Sequence, residues 1–109
     1  ADLCITLPSS FIERYCSRLH ITGELTMLSK FIAKKVEEQN LITDNIPHAI
    51  AAGIVYFVCN NCNLETTKQD IKIICGVSEV TINKCFKKLE TLKGRLIPNA
   101  IALKYKCLV

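Results

Sequence analysis

The feature that most constrains this chain is the run of residues 49–59. Eleven consecutive positions carry no charge, and the Tyr56 hydroxyl is their one polar side-chain group. Pro47 stands two residues ahead of the run, and proline suits the first helical turn, where its missing N–H leaves nothing unpaired. The pattern predicts a helix beginning at Pro47, with Asn45 as its cap. A helix that is apolar on every side has to be enclosed by other elements. Ala49, Ala51, Ala52 and Gly53 are small enough to let those neighbours come close. Crossing a bilayer takes about twenty apolar residues, so the run predicts the central helix of a bundle and no membrane contact.

Four further helices follow from apolar spacing and punctuation. The first follows Pro8, with Ser9 or Ser10 as cap, and runs to about Leu19. Its stripe is Phe11, Ile12, Tyr15, Cys16 and Leu19. The second runs from near Gly23 to about Gln39, burying Leu25, Leu28, Ile32 and Val36. The fourth starts at Thr66 or Thr67 and ends before Gly76, with Ile71, Ile74 and Cys75 inward. The fifth starts at Ser78, a good cap, and ends near Thr91. Residues 95–98 read as a loop, and 100–109 as a short helix or frayed tail. Four glycines and three prolines are too few for a turn-dense β fold. At 109 residues the chain suits one core. The expectation is an all-α, five-helix bundle forming one domain over residues 1–109, a monomer, and part of a longer protein.

Seven cysteines could suggest a disulfide scaffold, but the number is odd, and Cys16, Cys59, Cys75 and Cys85 fall inside apolar periodic stretches. There, cysteine acts as a small hydrophobe. No signal peptide opens the sequence, so a reduced intracellular compartment is expected. Cys59-Asn60-Asn61-Cys62 is a CxxC, yet zinc needs four ligands, and no second CxxC or histidine pair lies near it. His20 and His48 have no acidic partner at an obvious spacing. No glycine-rich phosphate loop or nucleophile–base pair can be assembled. The chain is therefore read as a non-enzyme with no catalytic residues, no metal ligands and no cofactor.

The charge is lopsided. Residues 1–77 hold seven Lys/Arg against eight Asp/Glu, whereas residues 78–109 hold seven against two. Part of that basic surplus falls on the fifth helix. The Gly76-Val77-Ser78 turn supplies a positive-φ residue, a core plug and a cap, and apolar residues flank it at the spacing a DNA-binding helix-turn-helix needs. Lys72 fits this pattern poorly, because many such motifs need a small residue there. On a wheel at about 100° per residue, Ile82, Cys85, Phe86 and Leu89 form one stripe. Val80, Asn83, Lys84, Lys87 and Lys88 lie opposite. Lysine and asparagine can donate to phosphates and base edges, and a branched aliphatic near the helix N-terminus can touch a thymine methyl. Lys84, Lys87 and Lys88 are expected to neutralise phosphates, with Lys68 at the start of the fourth helix adding one contact.

Three stretches together carry a family resemblance. Phe11-Ile12-Glu13-Arg14-Tyr15-Cys16-Ser17-Arg18-Leu19, Ile46-Pro47-His48-Ala49-Ile50-Ala51-Ala52-Gly53-Ile54-Val55-Tyr56 and Gly76-Val77-Ser78-Glu79-Val80-Thr81-Ile82 occur in this order. They resemble the second cyclin-like repeat of the general transcription initiation factor IIB family, eukaryotic and archaeal, over about residues 8–92. The resemblance implies a cyclin-like fold with the helix-turn-helix formed by helices four and five. It implies a nuclear role bridging TATA-binding protein, promoter double-stranded DNA upstream of the TATA element, and RNA polymerase II. Ser78, Val80, Thr81 and Lys87 match the family's DNA contacts. Asn83 departs from the family, standing where several relatives carry a base-reading arginine. Arginine grips guanine, whereas asparagine prefers adenine, so either the preferred upstream sequence differs or this contact only positions the helix.

Two other classes fit the same sequence less closely. One is a cyclin-type module that binds a protein partner and leaves the fifth helix as a solvated basic face. The other is a redox or metal protein using its cysteines. Within the resembling class, the related factor serving RNA polymerase III shares the fold.

Overall fold

A computed structural model describes residues 9–21, 23–42, 46–62 and 64–104, with the backbone only for residues 9, 99 and 102. These residues form seven helical segments and no strand. Five are long: α1 (Ser9–Arg18), α2 (Glu24–Gln39), α3 (Pro47–Asn61), α4 (Lys68–Cys75) and α5 (Glu79–Thr91). Two short ones follow, α6 (Lys93–Leu96) and α7 (Asn99–Lys104). The arrangement is the expected all-α, cyclin-like bundle with a helix-turn-helix at α4 and α5.

α3 lies at the centre. Ala49 to Val55, Phe57, Val58 and Cys59 are all buried, and the helix packs against α1, α2, α4 and α5. Its most extensive contact is with α5, where Gly53 lies against Cys85. Any side chain at position 53 would meet the Cys85 Cβ, so the absent side chain lets two helix backbones approach closely. The stripes read from the sequence face this core. Ile12, Tyr15 and Cys16 are buried on α1, and Leu25, Leu28, Ile32 and Val36 on α2. Ser29 joins the second stripe because its hydroxyl donates to the Leu25 carbonyl at 2.9 Å.

Several boundaries differ from expectation. Ser9 and Ser10 lie inside α1 rather than capping it, and Pro8 is outside the described residues. α3 is preceded by Ile46 with no side-chain cap bond, and Asn45 is likewise outside the described residues. α1 and α2 end on non-glycine residues in the left-handed region, His20 (φ 61°) and Asn40 (φ 49°). The next N–H in each case, from Ile21 and Leu41, donates back five residues to Cys16 and Val36, closing the helix as a Schellman motif does. Residues 95–98, expected as a loop, contain the end of α6. Leu96 and Ile97 are buried in the core. Their apolar side chains draw the chain back onto the bundle and override the turn signal of Gly94. Residues 105–109 of the expected tail lie outside the described residues.

Candidate nucleic-acid interface

The local chemistry of the α4–α5 pair begins with its caps. Thr67 and Asp70 form a capping box. The Thr67 Oγ1 accepts from the Asp70 N–H at 3.2 Å, and Asp70 Oδ2 accepts from the Thr67 N–H at 3.1 Å. This fixes where α4 starts and so where Lys68 leaves the backbone. At the other end, Gly76 takes φ 68° and returns its N–H to the Lys72 carbonyl at 2.8 Å. Lys72 itself is exposed, so its length does not disturb the turn. Val77 plugs the core, and the Ser78 Oγ accepts from the Thr81 N–H at 3.3 Å to start α5.

α5 then divides into two faces. Ile82, Cys85 and Leu89 are fully buried, and Phe86 packs edge-on against Tyr56 of α3 at 5.0 Å between ring centres. On the opposite side Val80 is 77% exposed, an isolated apolar side chain held out to solvent near the helix N-terminus. Lys84 and Lys87 are exposed beyond it, and Lys88 is half-buried. From Ser78 to Lys88 the row extends about 15 Å at 1.5 Å per residue.

The structure joins two pairs of the expected residues directly. Ser78 and Thr81 hydroxyls lie 3.0 Å apart at the start of α5. Lys68 crosses from α4 and donates its Nζ to the Asn83 Oδ1 at 3.0 Å. The same ammonium lies 5.7 Å from the centre of the Tyr56 ring, within cation–π reach. Lys68, expected to add one phosphate contact, is anchored on Asn83, because the first turn of α4 lies beside the middle of α5.

Two residues that shape this region were not among the expected contacts. Tyr56 supports both Phe86 and Lys68, and its hydroxyl in an otherwise apolar run was the available signal. Asn61 ties the C-terminal ends of α3 and α5 together. Its Nδ2 donates to the Phe57 carbonyl at 2.8 Å and to Glu90 Oε2 at 3.1 Å, while its Oδ1 is buried without a donor among the described residues. Asn61 reads as part of the CxxC loop in sequence, which hid it. Beside the turn, a cleft of about 370 Å³ is lined by Ile46, His48, Val77, Ser78 and Thr81. A larger hollow of about 530 Å³ lies elsewhere, between the end of α1 and α4, and includes none of the expected DNA-contacting residues.

The cysteines stand apart from this face. Cys16, Cys59, Cys62, Cys75 and Cys85 are buried in the core. Burial pushes the Cys59 thiol up to about 11 and the Cys75 thiol up to about 12, the neighbouring Cys16 adding to both. Such thiols are protonated and unreactive at neutral pH. Among the described residues, no group of three or more His, Cys, Asp or Glu is placed to hold a metal ion. None of the described helices is long and apolar enough to cross a membrane.

Residues 2–92 match the family described as Transcription factor TFIIB repeat. Among similar proteins, the transcription initiation factor IIB of Encephalitozoon cuniculi is 34% identical over 90 residues, 82% of this chain and 29% of the relative. That of Methanosarcina mazei is 31% identical over 84 residues, 77% of this chain and 25% of the relative. The Xenopus laevis factor is 30% identical over 97 residues, 89% of this chain and 30% of the relative. The chain thus spans less than a third of the length of the relatives it matches. With the match covering most of the chain, and the helical bundle and its α4–α5 turn formed by the residues that carry it, the chain belongs to the TFIIB repeat family.

Proposed function

We propose that this chain is the second cyclin-like repeat of a general transcription initiation factor that takes part in RNA polymerase II preinitiation assembly in the nucleus. In this reading α5 enters the major groove of promoter DNA upstream of the TATA element while the bundle sits beside TATA-binding protein. The chain binds as one part of an assembly and carries out no catalysis. The observation that carries the reading is the division of α5 into a fully buried stripe and an opposite row of Val80, Lys84, Lys87 and Lys88 behind a capped N-terminus.

The physical roles follow from that layout. Val80, Ser78 and Thr81 stand at the end of the helix that meets base edges. Lys84, Lys87 and Lys88 run along the flank and neutralise phosphates. Each phosphate neutralised contributes about 0.9 to the slope of log K against log salt. Three such contacts give weak, salt-sensitive binding by the repeat alone. Useful affinity comes from TATA-binding protein and from further parts of the factor acting together on bent DNA.

A salt titration of binding to a TATA duplex already carrying TATA-binding protein tests this. Replacing Lys84, Lys87 and Lys88 together by Gln should weaken binding and lower the salt slope by about 2.7. Unchanged affinity and slope would sink the DNA-binding role of α5 and favour a protein partner for this fold.

A further inference from the structure

We propose that Lys68 sets the base preference of Asn83, turning it from adenine to guanine. The proposal rests on the DNA-binding role of α5 stated above and adds which base edge that helix selects.

A free asparagine side chain pairs with adenine by using both ends of its carboxamide. Oδ1 accepts from the adenine N6 amino group, and Nδ2 donates to N7. In this chain Oδ1 is already engaged by the Lys68 ammonium at 3.0 Å. The orientation of the amide is fixed by that partner, because lysine has three donors and no acceptor, so the atom facing it is the oxygen. Lys68 is held from a second side by the Tyr56 ring, and Tyr56 is itself braced by Phe86. The capping box at Thr67 fixes the backbone from which Lys68 projects. Asn83 and Lys68 are both half-buried, so each keeps part of its surface open to a ligand.

Oδ1 keeps a second lone pair, but an amino group reaching for it would lie beside the Lys68 ammonium, so what the pair presents most favourably is donors: the Nδ2 hydrogens of Asn83 and the remaining hydrogens on Lys68 Nζ. The four base edges respond differently to a surface of donors. Guanine presents two adjacent acceptors, O6 and N7. Adenine places an amino donor beside N7, which would face another donor. Cytosine presents an amino donor. Thymine offers one acceptor, flanked by a methyl group. Guanine is the only edge that two neighbouring donors satisfy without opposing a donor. Lys68 is therefore a specificity-determining residue acting through Asn83.

Selection of bound duplexes from a pool randomised upstream of a fixed TATA element, with TATA-binding protein present, tests this on the full chain. The position read by residue 83 is the one whose base preference disappears in Asn83→Ala. The wild-type chain should enrich guanine there by about tenfold over adenine, and replacing that guanine by 7-deazaguanine should weaken binding. Lys68→Met keeps an unbranched stem over the Tyr56 ring but frees Oδ1, and should shift the preference at that same position to adenine. Lys68→Arg, which still donates to Oδ1, should keep guanine. Thermal melts of the variants show that each is folded. Enrichment of adenine by the wild-type chain overturns the proposal. So does a Lys68→Met variant that weakens every duplex by one uniform factor with the preference unchanged, since that is the behaviour of a phosphate contact. If Asn83→Ala erases no preference, the proposal fails while DNA binding by the wild-type chain still stands. If the wild-type chain binds no duplex, the DNA-binding reading itself has failed.

Discussion

Cys16, Cys59 and Cys75 bring three thiols of different helices into one apolar interior. Their burial gives the protein a definite pH behaviour. Cys59 and Cys75 rise from an ordinary value of 9.0 to about 11 and about 12 because the thiolate would be desolvated. The folded state therefore holds these protons more tightly than the unfolded chain does. This contribution to stability is complete below pH 9 and is lost as pH rises from there toward 12. The urea midpoint should fall over that interval, and Cys75→Ala should flatten part of the fall. A midpoint that declines as steeply in the variant would show that other groups govern alkaline unfolding. That cysteine acts as core here was legible from apolar spacing. Which thiols share a pocket was not, because Cys16 and Cys75 are far apart in sequence and meet only when α1 and α4 pack.

At the scale of elements, the α3–α5 contact holds the candidate interface in place. Gly53 lies against the Cys85 Cβ, which is attached to the backbone of α5 and cannot swing aside. Gly53→Ala would gain about 1 kcal/mol of helix propensity. Against this, the added methyl forces the two helices apart, and overpacking a tight core costs about 1–3 kcal/mol. The expected outcome is a net loss of stability in urea unfolding, with the outer row of α5 displaced along with the helix. A stabilised variant would show that the helices separate easily. The small residues of α3 announced a close neighbour, but not that α5 was the neighbour, since one helix's composition does not name its partner. The same limit applied to Asn83. Its place on the outer face of α5 followed from the helical period, whereas its bond to Lys68 depended on how α4 crosses α5.

For the whole molecule, the core extends beyond the family match. The match ends at residue 92, yet Leu96 is fully buried and Ile97 nearly so. Leu96→Ala should cost about 2–5 kcal/mol, the range for deleting a buried leucine side chain, read as a lowered urea midpoint. A cost below about 1 kcal/mol would mean that α6 lies loosely on the bundle. The tail also forms a surface ion pair, Lys104 Nζ to Glu24 Oε1 at 2.7 Å. Both side chains are substantially exposed, so solvent screening keeps such a contact small beside the burial of Leu96. The molecule that results is compact, with principal extents of 42 × 28 × 26 Å over the described residues.

The sequence by itself determined the five long helices, the centrality of α3, the turn at Gly76-Val77-Ser78 and the two faces of α5. These are local or periodic properties: a cap, a positive-φ glycine, a stripe repeating every 3.6 residues. The family followed from the same stretches, taken in order. Only the tertiary structure decided that residues 95–98 return to the core, that Asn61 ties α3 to Glu90, and that Lys68 is bonded to Asn83 beside Tyr56. Each of these joins groups on different elements, and their meeting depends on the angle and depth of helix packing. The outer face of α5 could be read as basic from its residues alone, but the bond that engages the Asn83 carboxamide comes from a lysine on the helix before it.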